Sequence, residues 1–114
     1  MNRQEKRQKA TTDERVLVIA RECLAILGQS TAEGTEYWVR ACINIKKALD
    51  RGCSEDDIIA ACKGAVLARR RGEKFSGLYN IVYIVGLGLY PLASLYKESG
   101  SAQQKERRVV KIDV

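Results

Sequence analysis

Between Ala48 and Gly72 the chain reads ALDRGCSEDDIIAACKGAVLARRRG, and this stretch restricts the fold more than any other. It predicts the end of one helix, a tight glycine turn and a complete second helix. Lys46, Lys47 and Arg51 lie late in the first helix, where positive charge answers the negative end of the macrodipole. Gly52 supplies the stop and Ser54 the next cap. Glu55, Asp56 and Asp57 then fill the first turn, a strong start signal. Gly64 sits inside the helix, where glycine costs about 1 kcal/mol against alanine. A close helix–helix contact at that point would explain it. Arg69, Arg70 and Arg71 close the helix and Gly72 ends it.

The flanking sequence predicts further helices. Met1 to Ala10 is polar and basic, and reads as a flexible arm over residues 1–11. Thr11 and Glu14 have capping-box spacing, which opens a helix running to about Leu27. Its apolar stripe is Val16, Ile19, Ala20, Cys23, Leu24 and Leu27, with Gly28 as the stop. Thr35 starts the next helix, whose stripe is Trp38, Ala41, Cys42, Ile45, Ala48 and Leu49. Trp38 could stack on a base, but as the anchor of this stripe it is read as core.

From Phe75 to Tyr96 there is no charged residue. The length would suffice for a membrane span, and basic residues precede it. Polar and glycine positions and four tyrosines argue instead for two short helices broken at Gly86-Leu87-Gly88, ahead of Pro91. The first, about Gly77 to Val85, is apolar nearly all round and reads as the central core helix. The second runs from Leu89 or Tyr90 to Glu98. Residues 99–114 read as a flexible tail, with KERRVVKIDV free or pairing as a strand with a partner.

These elements make an all-α, single-domain bundle of four to five helices over residues 12–98, with basic tails on both sides. A chain of 114 residues can bury such a core without staples. The net charge of +6 and pI near 9.3 favour anionic partners. There is no histidine, which removes the commonest general base and metal ligand. None of the four cysteines forms a CxxC pair, so no metal site and no cofactor are expected. Cys23, Cys42 and Cys62 fall on apolar helix faces. Cys53 looks exposed at a helix start, where the neighbouring acids oppose a thiolate. Gly86 and Gly88 lack the third glycine of a dinucleotide site. The N-terminus lacks the apolar segment of a signal peptide, so a cytoplasmic protein is expected. The acids and lysines sit at helix ends where caps and dipoles account for them, so the protein is expected to be non-catalytic.

Ala48, Gly52 and Ile58 have the relative spacing of a helix-turn-helix. The second helix, however, opens with three acids that phosphates would repel, and carries no base-reading side chain. Nucleic-acid contact is therefore expected at Arg69, Arg70, Arg71 and Lys74, with Lys46, Lys47 and the two basic tails. Such contacts would be sequence-blind. The same arginines could equally serve only the helix dipole.

The run from Lys47 to Gly64, with Gly72, Glu73, Lys74 and the helix from Leu78, resembles a helical segment in the C-terminal part of phage and prophage replication proteins. These are replisome organisers and helicase-loader-like factors. The likeness spans Trp38 to Tyr96, with Cys53 standing where those proteins place an aromatic residue. It implies an accessory role in replication initiation, with DNA and replication proteins as partners. Two other functions compete with it. One is a self-associating interaction module, dimerising through Leu78 to Tyr96. The other is a small membrane-anchored protein.

Overall fold

The structure is a computed structural model that describes residues 2–99. It is all-α, as the apolar periodicity predicts, and no strand occurs among the described residues. The chain folds as α1 (Arg3–Thr12), α2 (Glu14–Ile26), α3 (Glu36–Asp50) and α4 (Glu55–Arg70). A 3-10 turn (Ser76–Tyr79), the one-turn α5 (Ile81–Ile84) and α6 (residues 89–99) complete it. The predicted C-terminal tail lies outside the described residues apart from Ser99.

Three helices end in the same way. Gly28, Gly52 and Gly72 take φ of 72°, 96° and 89°, conformations that a side chain would strain. After α3, the amide of Gly52 donates to Leu49 and that of Cys53 to Ala48, each at 3.0 Å. This paired pattern satisfies two carbonyls that the helix end leaves open. Gly28 with Gln29, and Gly72 with Glu73, repeat it after α2 and α4. Starts are equally regular. Thr35 accepts from the amide of Trp38, and Ser54 from that of Asp57, both at 3.1 Å.

The N-terminal segment differs from the expectation. Residues 3–12 are a helix rather than a flexible arm, capped by Asn2, whose side chain accepts from the amide of Glu5 at 2.8 Å. Thr11 is not a cap. Its hydroxyl donates back to the carbonyl of Arg7, and Asp13 caps α2 instead. Ala10 is the buried residue of α1, seated against the core. Apolar periodicity is therefore nearly absent, and the segment is helical because Arg, Gln, Glu and Lys are good helix formers.

The core is apolar throughout, with no buried polar or charged residue among those described. Trp38, at 2% exposure, is core. The most enclosed helix is α4, which buries Ile58, Ala60, Ala61, Cys62, Gly64, Ala65 and Ala68. It packs against α2, α3, the 3-10 turn and α5. The predicted central helix over 77–85 is instead interrupted at Asn80, which caps α5 through the amide of Val82. Packing around small residues explains both the interruption and the position of α6. A Cβ on Gly77 or Gly88 would meet the ring of Tyr83 at 2.9 or 2.5 Å. A Cβ on Gly64 would lie 1.9 Å from the carbonyl oxygen of Leu92, in α6. The close contact inferred from the glycine is therefore present. Pro91 falls in the first turn of α6, where its missing amide costs no helical hydrogen bond.

Gly64→Ala tests this contact, because helix propensity and packing oppose each other. Propensity alone would stabilise the variant by about 1 kcal/mol. The clash with backbone should reverse the sign and lower stability by about 1–3 kcal/mol, read as a drop in the urea midpoint.

Candidate functional site

Helices α1 and α3 run side by side in the same direction, because α2 reverses the chain between them. Arg7 pairs with Glu36 near the start of α3, across 2.6 Å. Further along, Lys9 and Ala10 line one furrow with Lys46, Lys47 and Asp50. Adjoining stretches of the furrow are lined by Arg3, Lys6, Arg40 and Asn44, with Ile43 shared along its floor. The result is a basic track along two rigid helices. Lys46 is partly spent, lying 3.6 Å from Asp13. Among the described residues, Arg3, Lys6, Lys9, Arg40 and Lys47 make no ion pair, so their charges face solvent.

Lys46 and Lys47 thus join the charges expected of a loose arm, now fixed on α1. The sequence reading missed Arg3, Lys6, Lys9 and Arg40 as parts of one surface. The signal available was the run of helix formers behind Asn2, which places Arg3, Lys6 and Arg7 at 3–4 spacing.

The other predicted cluster divides. Arg69 is half-buried, its guanidinium 4.6 Å from the centre of the Tyr79 ring and donating to the carbonyl of Leu27 at 3.4 Å. It therefore ties the end of α2 to the 3-10 turn, as Arg51 ties α3 to the end of α5 through the carbonyl of Val85 at 3.2 Å. Arg70, Arg71 and Lys74 are exposed. The two clusters are carried by different helices, one on α1 and α3 and one at the end of α4 and beyond.

The acidic start of α4 is also engaged. Lys97 of α6 donates to Asp57 at 2.5 Å, and that contact, before all others, lowers the carboxyl below its ordinary range. The helix-turn-helix spacing is thus met by a turn whose second helix is packed between neighbours, with α6 across its first turn. Leu78, Ile81, Ile84, Val85, Leu89 and Leu92 are buried in the protein's own core. Of the segment expected to dimerise, Leu87, Tyr90 and Tyr96 are the large apolar side chains left exposed with Tyr79. Among the described residues no helix is long and apolar enough to cross a membrane.

The cysteines are all free and all buried. Cys53 is 5% exposed, contrary to expectation. The helix-ending turn folds the residue after Gly52 back toward Ala48, which favours an apolar contact there. Its Sγ lies 3.4 Å from the hydroxyl of Tyr90, and this hydrogen bond raises the tyrosine pKa. The hydrogen bond to Cys62, then burial, push the Cys23 thiol up, and burial pushes Cys42 up to about 11. Neither provides a thiolate at neutral pH. No cluster of three or more metal-ligating side chains occurs among the described residues.

No protein family, curated protein or solved structure is found to match this chain.

The Arg7–Glu36 pair makes the attachment of α1 pH-dependent. The hydrogen bond from Arg7 lowers the Glu36 carboxyl below its ordinary 4.5. A lowered carboxyl stabilises the folded form above its unfolded pKa, and the effect fades as pH falls through the folded value. Arg3, Arg7 and Arg40 keep their charge when Glu36 is protonated. Hydrogen exchange should therefore show α1 amides losing protection before α2–α4 as pH falls from about 5 to about 3. Glu36→Gln should show the weaker attachment already at neutral pH.

Proposed function

We propose that this is a non-catalytic accessory protein that binds nucleic acid without reading its sequence. The observation that supports this reading is the α1–α3 furrow, which aligns Arg3, Lys6, Arg40 and Lys47 on two packed helices. Cations on a rigid surface meet phosphates without first losing side-chain and backbone freedom at the cost a loose arm would incur. Asn44 is the uncharged polar side chain of the furrow, so direct base readout has little to draw on. Arg70, Arg71 and Lys74 supply a second point of contact. Arg69 is assigned to holding the fold. The resemblance to phage and prophage replication factors suits such a role, with DNA and replication proteins as partners in the cytoplasm.

A titration of the full chain against mixed-sequence duplex tests this. Five phosphate contacts should weaken binding on the order of 500-fold as salt rises from about 50 to about 200 mM. Lys6→Ala/Arg40→Ala/Lys47→Ala should reduce the salt slope by about three and affect unrelated sequences alike. Absence of binding at the lower salt would end the proposal.

Self-association is a second reading, supported by Leu87, which is 89% exposed at the tip of the turn before α6. A dimer using it should dissociate in Leu87→Glu, as seen by sedimentation velocity. A wild-type chain that sediments only as monomer removes this reading.

A further inference from the structure

The corner after α4 carries features that the furrow lacks. Arg70, Arg71 and Lys74 lead directly into Phe75, and Tyr79 follows one short turn later. Phe75 is 51% exposed and Tyr79 54%. Both rings are nevertheless fixed in place. Phe75 stands edge-on to Tyr83, with centroids 4.9 Å apart and planes at 79°. The ring of Tyr79 lies against the guanidinium of Arg69. Its carbonyl accepts from the side-chain amide of Gln29 at 2.5 Å and lies 3.3 Å from the hydroxyl of Tyr37. Gly77 makes the arrangement fit, since a Cβ there would meet the Phe75 ring at 2.6 Å. The corner thus holds two aromatic rings half in water, with the exposed Arg71 and Lys74 next to Phe75 in the chain.

We propose that this corner is a base-stacking platform for single-stranded nucleic acid. Phe75 and Tyr79 would take bases, while Arg71 and Lys74 take the flanking phosphates. The proposal rests on the nucleic-acid reading above and adds strandedness to it. A duplex keeps its bases stacked on one another and offers these rings nothing. Unpaired bases have free π-faces, and aromatic rings flanked by positive charge bind them with little regard to sequence. Rings already fixed lose little rotamer freedom on binding. The guanidinium against Tyr79 would extend the stack on that ring. Among the described residues no aromatic side chain lines the α1–α3 furrow, so the two surfaces suit different forms of nucleic acid.

The test compares binding of the full chain to three labelled probes at about 50 mM salt, where phosphate contacts are strongest. They are an oligothymidylate, an abasic strand of equal charge and a duplex. The wild-type chain should bind the oligothymidylate about a hundredfold more tightly than the abasic strand, about tenfold for each of two stacked bases. Tyr79→Leu and Phe75→Leu should each lose about tenfold on the oligothymidylate and leave abasic and duplex binding unchanged. Tyr79→Phe should bind as wild type does. Irradiation of wild-type protein with a bromodeoxyuridine strand should crosslink Phe75 or Tyr79, a readout that needs no variant. Equal affinity for thymidylate and abasic strands, or crosslinks confined to α1 and α3, would overturn the platform while duplex binding left the furrow standing. No binding to any probe would overturn both.

Discussion

Helix α6 can lie on α4 because position 64 has no side chain. The carbonyl of Leu92 fills the space that a Cβ would need, so the two backbones meet directly. Much else follows from that approach. It encloses α4, directs Lys97 toward Asp57, and places Tyr90 beside Cys53. It also holds the segment after the Gly86–Gly88 turn against the bundle, so that an uncharged run becomes core and not a single long helix. The buried face of α4 is small nearly throughout, which is what close helix packing requires.

Where local chemistry dominates, the sequence was legible. Thr35 and Ser54 cap helices because a short polar side chain reaches back to an orphan amide. Gly28, Gly52 and Gly72 end helices because a left-handed residue is required there. The stripes of α2 and α3 and the burial of Trp38 follow from apolar spacing alone. Helix α1 was hidden because a helix seated mainly through Ala10 leaves almost no periodic apolar signal. The break at Asn80 was hidden too, because the close packing of the Tyr83 ring against Gly77, three residues to either side of it, leaves no trace in the apolar pattern. Cys53 was misplaced because charged neighbours suggested exposure, while the geometry of the turn carries it inward.

The candidate site was half legible for a related reason. Charge can be counted along a chain, but its direction depends on which helices become neighbours. Lys46 and Lys47 were visible as a pair, whereas the surface they belong to needs α1 folded beside α3. Arg69 shows the reverse case. In sequence it is one of three equivalent arginines, and in the fold it is a brace between α2 and the 3-10 turn. Adjacent like charges on a helix point in different directions, so one can serve stability while its neighbours remain available for a ligand.

The small side chains along α4 also invert the usual tolerance of a protein interior. In a core of large residues, truncation leaves cavities and is the common route to instability. Along Ala60, Ala61, Gly64, Ala65 and Ala68 there is little side chain to remove, so truncation has almost nothing to take away. Growth is the damaging direction, because each added methyl must displace a neighbouring helix and not merely a rotamer. Sequence drift in this protein should therefore be freest at solvent-facing positions outside the two basic surfaces. On the inner face of α4 it should be confined to exchanges among the smallest residues.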